Sequence, residues 1–393
     1  MEYISAGESH GKKLTTVVTG VPAGLVVSED LINYDLSRRQ SGYGRGGRQK
    51  IEKDVASITS GIRFSRTLGS PISIDIENND WQNWEEKMSS FGQCPEDYSR
   101  EVTPRPGHAD LIGLLKHNFD DCRDVLERAS ARETASRVCA GAIAREFLAN
   151  FGVEVFSWVN SISTIKFDDS NIMDFVSGEM SKDLLAKIEF SQTRCPDDLV
   201  TQAMKEEIDK AASVGQTCGG TFRLVAIGVA PGLGSYVQAK DRLTSRISSA
   251  LFSIPAIKGV SFGIGFEGVS SFGGDFHDEI ILENGKYSRK TNNAGGLEGG
   301  MTTGLPLWVT CAMKPIPTCM KGLNTVNVDT LEPSISSKER SDVCAVPAAA
   351  VVGEAELAMV LANAYIEMFG NTCMVDIKEN FRNYMSRIEM LSR

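Results

Sequence analysis

Runs of β-branched or apolar residues bounded by Gly or Pro predict strands at Leu14–Thr19, Ile72–Ile76, Thr221–Ala230, Val260–Phe266 and Leu305–Met313. Helical signals are clearest after Ser130. Ser130-Ala131-Arg132-Glu133 matches a capping box, in which the serine and the glutamate each satisfy an orphan backbone N–H. The helix that follows places Ala135, Val138 and Ala142 on one stripe and is expected to stop at Gly152. A charged, amphipathic helical region spans 178–214, with Pro196-Asp197-Asp198 as a start signal. It carries no evident chemistry and reads as a peripheral insertion. Ser28, with Glu29 and Asp30 behind it, caps a further helix. The most apolar stretch, Ala348–Phe369, contains Glu354, Glu356, Asn363 and Glu367, so it reads as a buried core helix and not as a membrane span. Helices and strands mix without a regular βαβ beat. An α+β or layered α/β fold is therefore expected over a doubly wound sheet.

Composition narrows the function classes. The 41% apolar and 23% charged fractions are those of a globular chain, and no linker or low-complexity tract divides the 393 residues. A formal charge of −10 argues against a general nucleic-acid or anionic-membrane binder, so local basic clusters stand out as sites. The nine cysteines are odd in number, widely spaced and lack Cys-x-x-Cys, which favours buried reduced thiols over a disulfide framework or a zinc site; no metal is expected. Met1–Ser5 shows no basic region followed by an apolar run, so no signal peptide is expected and the cytoplasm is the expected location.

Candidate chemistry gathers in short motifs. Gly7-Glu8-Ser9-His10-Gly11 formally matches a nucleophile elbow, but that elbow needs a strand before and a helix after it inside an α/β sheet. His10 among small residues is better placed as a proton donor in a tight turn, with a passive turn histidine as the alternative. Arg38-Arg39-Gln40-Ser41-Gly42-Tyr43-Gly44-Arg45-Gly46-Gly47-Arg48 holds a nominal G-x-G-x-x-G, yet a helix precedes it where a dinucleotide fold requires a strand. A glycine loop that lets guanidiniums wrap a phosphate or carboxylate is the better reading; a solvated basic loop is the other. In Arg105-Pro106-Gly107-His108-Ala109-Asp110, the Pro-Gly turn presents His108 at the start of a helix through Leu111, Leu114 and Leu115. There it is either an acid beside a bound anion or a capping residue; His117 and His277 lack such surroundings and read as structural. Arg128 and Arg132 flank the capped helix start at Ser130, a strong anion-site signal. Asn292–Gly300, Lys314-Pro315-Ile316-Pro317-Thr318 and Glu339-Arg340-Ser341-Asp342 are loops or places for close backbone approach to a flat or phosphorylated cofactor.

In order and across essentially the whole chain, these motifs resemble the chorismate synthase family. They are Gly-Glu-Ser-His-Gly, Arg-Arg-Gln-x-Gly-Tyr-Gly-Arg-Gly, Arg-Pro-Gly-His-Ala-Asp, Ala-Ser-Ala-Arg-Glu-Thr-Ala, Asn-Asn-Ala-Gly-Gly-x-Glu-Gly-Gly-Met and Arg-Ser-Asp-Val-Cys-Ala-Val-Pro-Ala-Ala. The resemblance implies a lyase that converts 5-enolpyruvylshikimate 3-phosphate to chorismate and phosphate by 1,4-elimination, the last step of the shikimate pathway. It implies a requirement for reduced FMN without net redox change. It also implies one domain over 1–393, a β-α-β sandwich whose two antiparallel sheets enclose helices, and a homotetramer.

By the same resemblance, His10 would protonate the departing phosphate, His108 would stabilise or protonate reduced flavin near N1, and Asp342 would help move the proton at N5. Arg39, Arg45, Arg132 and Arg340 would clamp substrate anions, and Arg39 and Arg45 are the positions linked to NADPH in members that reduce their own flavin. FMN contacts would come from Arg128, Ala129, Ser130, Pro255, Ala256, Gly299, Lys314, Pro315, Ile316, Pro317, Thr318 and Arg340. Pro255 departs from the family's usual Asn and cannot donate a hydrogen bond; Lys12-Lys13 replaces a common Pro-Ala. A flavin oxidoreductase with net hydride transfer and a non-catalytic binder of phosphorylated metabolites are the competing classes. A separate flavin reductase is a further expected partner.

Overall fold

The computed structural model describes residues 1–47, 53–170, 182–339 and 341–391. Two antiparallel sheets face each other across a helical layer. The smaller sheet has the strand order Glu2–Ala6, Lys13–Thr19, Ile72–Glu77, Ala56–Ile58. The larger runs Ile257–Phe262, Leu307–Met313, Gly220–Ile227, Glu154–Ile162, Ile165–Lys166. Every pairing in both sheets is antiparallel. Helix Thr134–Ala149 packs on the smaller sheet, and the long helix Val346–Phe369 packs between it and the larger one. This is the layered sandwich expected above, and the five strands expected from sequence are all present with shifted ends.

The helical layer is joined by small residues and buried ion pairs. A Cβ built on Gly141 would lie 2.2 Å from the Ala355 Cβ, so glycine sets the spacing of the two central helices. Val346–Phe369 is long and apolar enough to cross a membrane, but it is sealed inside the protein. Its fully buried Glu354 meets Arg38 at 2.8 Å and Arg194 at 3.1 Å, because a carboxylate out of water needs cations around it. Arg38, adjacent to Arg39 in sequence, is thus structural.

The helix opened by Ser28 runs Glu29–Gln40, with Ser28 Oγ accepting from the Leu31 N–H. The capping box at Ser130 forms only in half. Ser130 Oγ accepts from the Arg132 N–H, but Glu133 turns to Arg137 at 2.7 Å, leaving a 3₁₀ turn at Ala131–Glu133 ahead of the helix. The described part of 178–214 folds as Lys182–Phe190 and Asp198–Ser213, the second capped by Asp197. These helices bury Ile188, Met204 and Ile208, and Glu189 pairs with Arg38 at 2.7 Å. The segment is packed into the molecule more closely than its charged sequence suggests. Of the nine cysteines, none is in a disulfide and only Cys94 is exposed.

Candidate active site

Loops from both sheets and from the ends of three helices converge on one cavity of about 570 Å³. His10 lies in the loop between the paired strands Glu2–Ala6 and Lys13–Thr19. A hairpin loop, with an antiparallel strand where a hydrolase would have a helix, removes the nucleophile-elbow reading. His108 precedes helix Asp110–His117, whose N-cap is Ala109 without a side-chain bond, so His108 is not the cap. Arg39 ends the helix Glu29–Gln40, Arg45 follows it, and Arg132 sits in the 3₁₀ turn. Ala256 enters the edge strand of the larger sheet, Lys314 leaves its neighbour, and Asp342 precedes the long helix.

The His10 ring is fixed from two sides. Its Nδ1 lies 2.8 Å from Glu127 Oε1, its backbone N–H donates to Glu127 Oε2 at 2.7 Å, and the ring stacks on Trp84 with centroids 3.7 Å apart. Burial acts to raise the Glu127 carboxyl, but the hydrogen bonds and charge of His10, with Arg123 beside it, hold it below the usual range. Glu127 is therefore ionised and can only accept, which puts a proton on His10 Nδ1.

His108 repeats the device. Its Nδ1 is 2.5 Å from Asp110 Oδ1, while Arg105 Nε donates to Asp110 Oδ2 at 2.8 Å. Burial opposes ionisation of Asp110, but His108 and Arg105 overcome it and hold the carboxyl well below its ordinary value. His108 Nδ1 thus donates to Asp110, leaving Nε2 as the nitrogen available for a ligand.

Among the described residues, four arginines line the cavity with these histidines: Arg39, Arg45, Arg105 and Arg132. Asp54 ties two of them, reaching Arg132 at 2.5 Å and Arg39 at 3.3 Å. Burial, and then the neighbouring Arg132 and Arg45 charges, lower Arg39 to about 10 despite Asp54, which still leaves it a cation at neutral pH. Arg45 pairs with Asp342 at 2.7 Å, whose other oxygen accepts from the Gly46 N–H. Gly44 has φ +82° and lies against Cys344 and Ile208, so the glycine loop folds onto the segment carrying Asp342.

Another part of the lining is more apolar. It includes Ile254, Pro255, Ala256, Met313, Ile316, Pro317, Ala345 at the cap of the long helix and, on the helix itself, Ala348, Ala349 and Val352. Ala256 has φ +69°, a left-handed conformation that costs a non-glycine residue about 1–3 kcal/mol. That bend turns its carbonyl toward the Lys314 N–H, which donates at 2.9 Å. The Lys314 ammonium donates to Gly107 O, and burial, then the charge of Lys258, lowers it.

Of the residues expected at the site, His10, His108, Asp342, Arg39, Arg45, Arg132, Ala129, Ser130, Pro255, Ala256, Lys314, Ile316, Pro317 and Thr318 line this cavity. Three do not. Arg128 is turned away and donates to Ser5 and Gly7 carbonyls, Gly299 belongs to a glycine run packed near Arg242, Gly263 and Leu307, and Pro315 borders a separate shallow pocket. Arg340 lies outside the described residues. Lys12 and Lys13 do not line the cavity; Lys13 pairs with Asp75 on the neighbouring strand. Sequence reasoning missed Arg105 and Asp110 as site members although they stand inside a quoted motif, and it missed Glu127, one residue before Arg128. Trp84 and Asp54 carried no motif signal at all.

Comparison with known proteins decides the family. The family model described as chorismate synthase matches residues 1–366. The chain belongs to the chorismate synthase family. It is 47% identical over 391 residues to the chorismate synthase of Aquifex aeolicus (strain VF5), covering 99% of this chain and 98% of that one. Identity to the Bacillus subtilis (strain 168) chorismate synthase is 48% over 389 residues, covering 98% of each. A crystal structure of a chorismate synthase superposes with a TM-score of 0.80 at 40% identity, over 99% of this chain and 98% of that one. Membership of the chorismate synthase family makes the chain a lyase of the shikimate pathway that forms chorismate from 5-enolpyruvylshikimate 3-phosphate.

Proposed function

We propose that the cavity bearing His10 and His108 is the active site of this lyase, and that its flavin is reduced FMN. The observation that carries this reading is the meeting of two carboxylate-anchored histidines with four arginines in one cavity. A phosphorylated dicarboxylate is the ligand such a cation set suits.

The residues also suit the flavin. The apolar wall from Ile254 to Ile257 and along Ala345–Val352 matches a flat ring, and the bent backbone at Ala256 with Lys314 matches its polar edge and phosphate. Ala129, Ser130 and Thr318 would border it. When bound, reduced FMN supplies an electron-rich ring to an elimination with no net redox change.

The chain's own groups would do the rest. Arg39, Arg45 and Arg132 would bind and orient the substrate anions. His10 would pass its Nε2 proton to the departing phosphate, and Glu127 would stay ionised beside the ring throughout. His108, anchored by Asp110, would hold a proton toward the flavin near N1. Asp342 would move a proton once the substrate draws Arg45 away from it. Substrate use of Arg340, FMN contacts from Arg128, Gly299, Pro315 and Arg340, NADPH use at Arg39 and Arg45, a separate flavin reductase, a homotetramer and a cytoplasmic location complete the reading on resemblance alone.

The test is anaerobic phosphate release from 5-enolpyruvylshikimate 3-phosphate with dithionite-reduced FMN. Release together with chorismate, and none with oxidised FMN, is expected. Stoichiometric NADPH consumption without phosphate release would favour the oxidoreductase class instead.

A further inference from the structure

Three side chains, Glu127, Arg123 and Trp84, close a ring with His10. Glu127 Oε1 lies 2.8 Å from His10 Nδ1 and 3.0 Å from Arg123 Nη1. The Arg123 guanidinium lies 5.3 Å from the Trp84 ring, whose other contact is the His10 imidazole at 3.7 Å and 23°. Each member is held independently. Arg123 also binds Glu339 at 2.9 Å, Trp84 Nε1 donates to Asp80 at 3.1 Å, and Glu127 is buried.

We infer that Glu127 is a positioning residue for the elimination, fixing the tautomer of His10, with Trp84 and Arg123 holding the pair in register. The inference rests on the proposed role of His10. A neutral imidazole carries one proton on either nitrogen, and the hydrogen bond made by one nitrogen decides which. An ionised carboxylate at 2.8 Å accepts the Nδ1 proton whether the ring is neutral or cationic. The second proton, gained and lost in each cycle, is then confined to Nε2.

The backbone bond from His10 N–H to Glu127 Oε2 locks the hairpin loop to the same carboxylate, so ring and backbone cannot move separately. Stacking on Trp84 opposes the ring flip that would put Cδ2 in place of Nδ1 against Glu127. Arg123 supplies the opposing charge that keeps Glu127 ionised when His10 is neutral. Glu127 and Arg123 come from one helix, Glu339 pairs with Arg123, and Asp80 accepts from Trp84. Carboxylate-held imidazoles on unrelated folds depend on such a bond for their tautomer.

The experiment is nitrogen NMR of protein labelled with ¹⁵N-histidine. The chain has four histidines, and His10→Gln identifies the His10 signals by their loss. In the parent protein the neutral form of His10 should carry its proton on Nδ1, the less common tautomer of free imidazole. Glu127→Gln, which keeps size but removes charge, should transfer population to the Nε2–H tautomer, with His108 unchanged as the internal control. The same variant should lose about tenfold or more in kcat with a smaller change in KM, because orientation acts on the proton-transfer step. An Nε2–H tautomer in the parent, or an unchanged tautomer in Glu127→Gln, would overturn the inference. The parent measurement needs no variant and no turnover. A parent that shows the Nδ1–H form yet makes no chorismate would instead count against the proposed active site.

Discussion

Asp54 reaches Arg132 at 2.5 Å and, through its other oxygen, Arg39 at 3.3 Å, with all three side chains buried. The carboxylate stands where two cations would otherwise repel each other out of water. Removing one partner of a buried ion pair costs about 3–5 kcal/mol, because it strands the remaining charge. Asp54→Asn is therefore expected to lower the thermal midpoint of the ligand-free protein. It should also make that midpoint rise further on addition of inorganic phosphate than the parent's does, since the stranded arginines gain a counter-ion that binds only the folded state. Equal phosphate responses in scanning calorimetry would count against these arginines as the anion clamp.

The two histidines should be separable from the fold. Both sit in loops, and His108 is only half-buried. General acid–base groups contribute about 10²–10⁴-fold. His10→Ala and His108→Ala should each lose at least roughly tenfold in turnover while the chain still folds, because Arg123 and Arg105 remain beside Glu127 and Asp110. A near-normal rate in stopped-flow or steady-state assays would remove that histidine from the mechanism.

Much of this arrangement was legible before the fold was known, for reasons visible at single residues. The arginine motifs and both histidines sit in turns whose glycines and prolines declare themselves locally. The strand Glu154–Ile162 was missed because its face alternation is absent. The long helix covers one side, while Lys182–Phe190 packs near Phe156 and Trp158 on the other, so nearly every position is buried. Edge strand Glu2–Ala6 was missed for the opposite reason, its residues being half or fully exposed, with Ile4 at 75%. Trp84, Asp54 and Glu127 are read only from tertiary contacts. A carboxylate that neutralises a distant arginine looks, in sequence, like any solvated acid.

Gly141 tests the helical layer. Its Cβ, if present, would lie 2.2 Å from the Ala355 Cβ and 2.4 Å from the Ala355 Cα, so neither a rotamer nor a side-chain shift relieves the clash. Overpacking of a core typically costs about 1–3 kcal/mol, occasionally more, and the backbone contact places Gly141→Ala at or above the upper end. Denaturant unfolding should show that loss, and adding Ala355→Gly should recover part of it. An unchanged midpoint would mean that the helices cross further apart than described.

Glu146 provides a pH-dependent test away from the active site. Burial, with the Asp35 charge adding to it, pushes its carboxyl up to about 7, while the Ser28 N–H donating to Oε1 at 2.8 Å only partly offsets this. Its Oε2 is buried without a hydrogen-bond partner among the described residues. An acid whose folded value lies above its unfolded value near 4.5 holds a proton in the folded chain that the unfolded chain has already released. Stability contributed by that proton is complete below about pH 4.5 and is lost as pH rises through about 7. Glu146→Gln keeps the acceptor for Ser28 and removes the titration. The variant's thermal midpoint minus the parent's should therefore grow more positive between about pH 5 and about pH 8. Other groups titrate in both proteins and cancel in the difference. A difference that stays flat across that window would show that Glu146 is ionised in the folded protein at little cost, with water reaching the carboxylate beside Ser28.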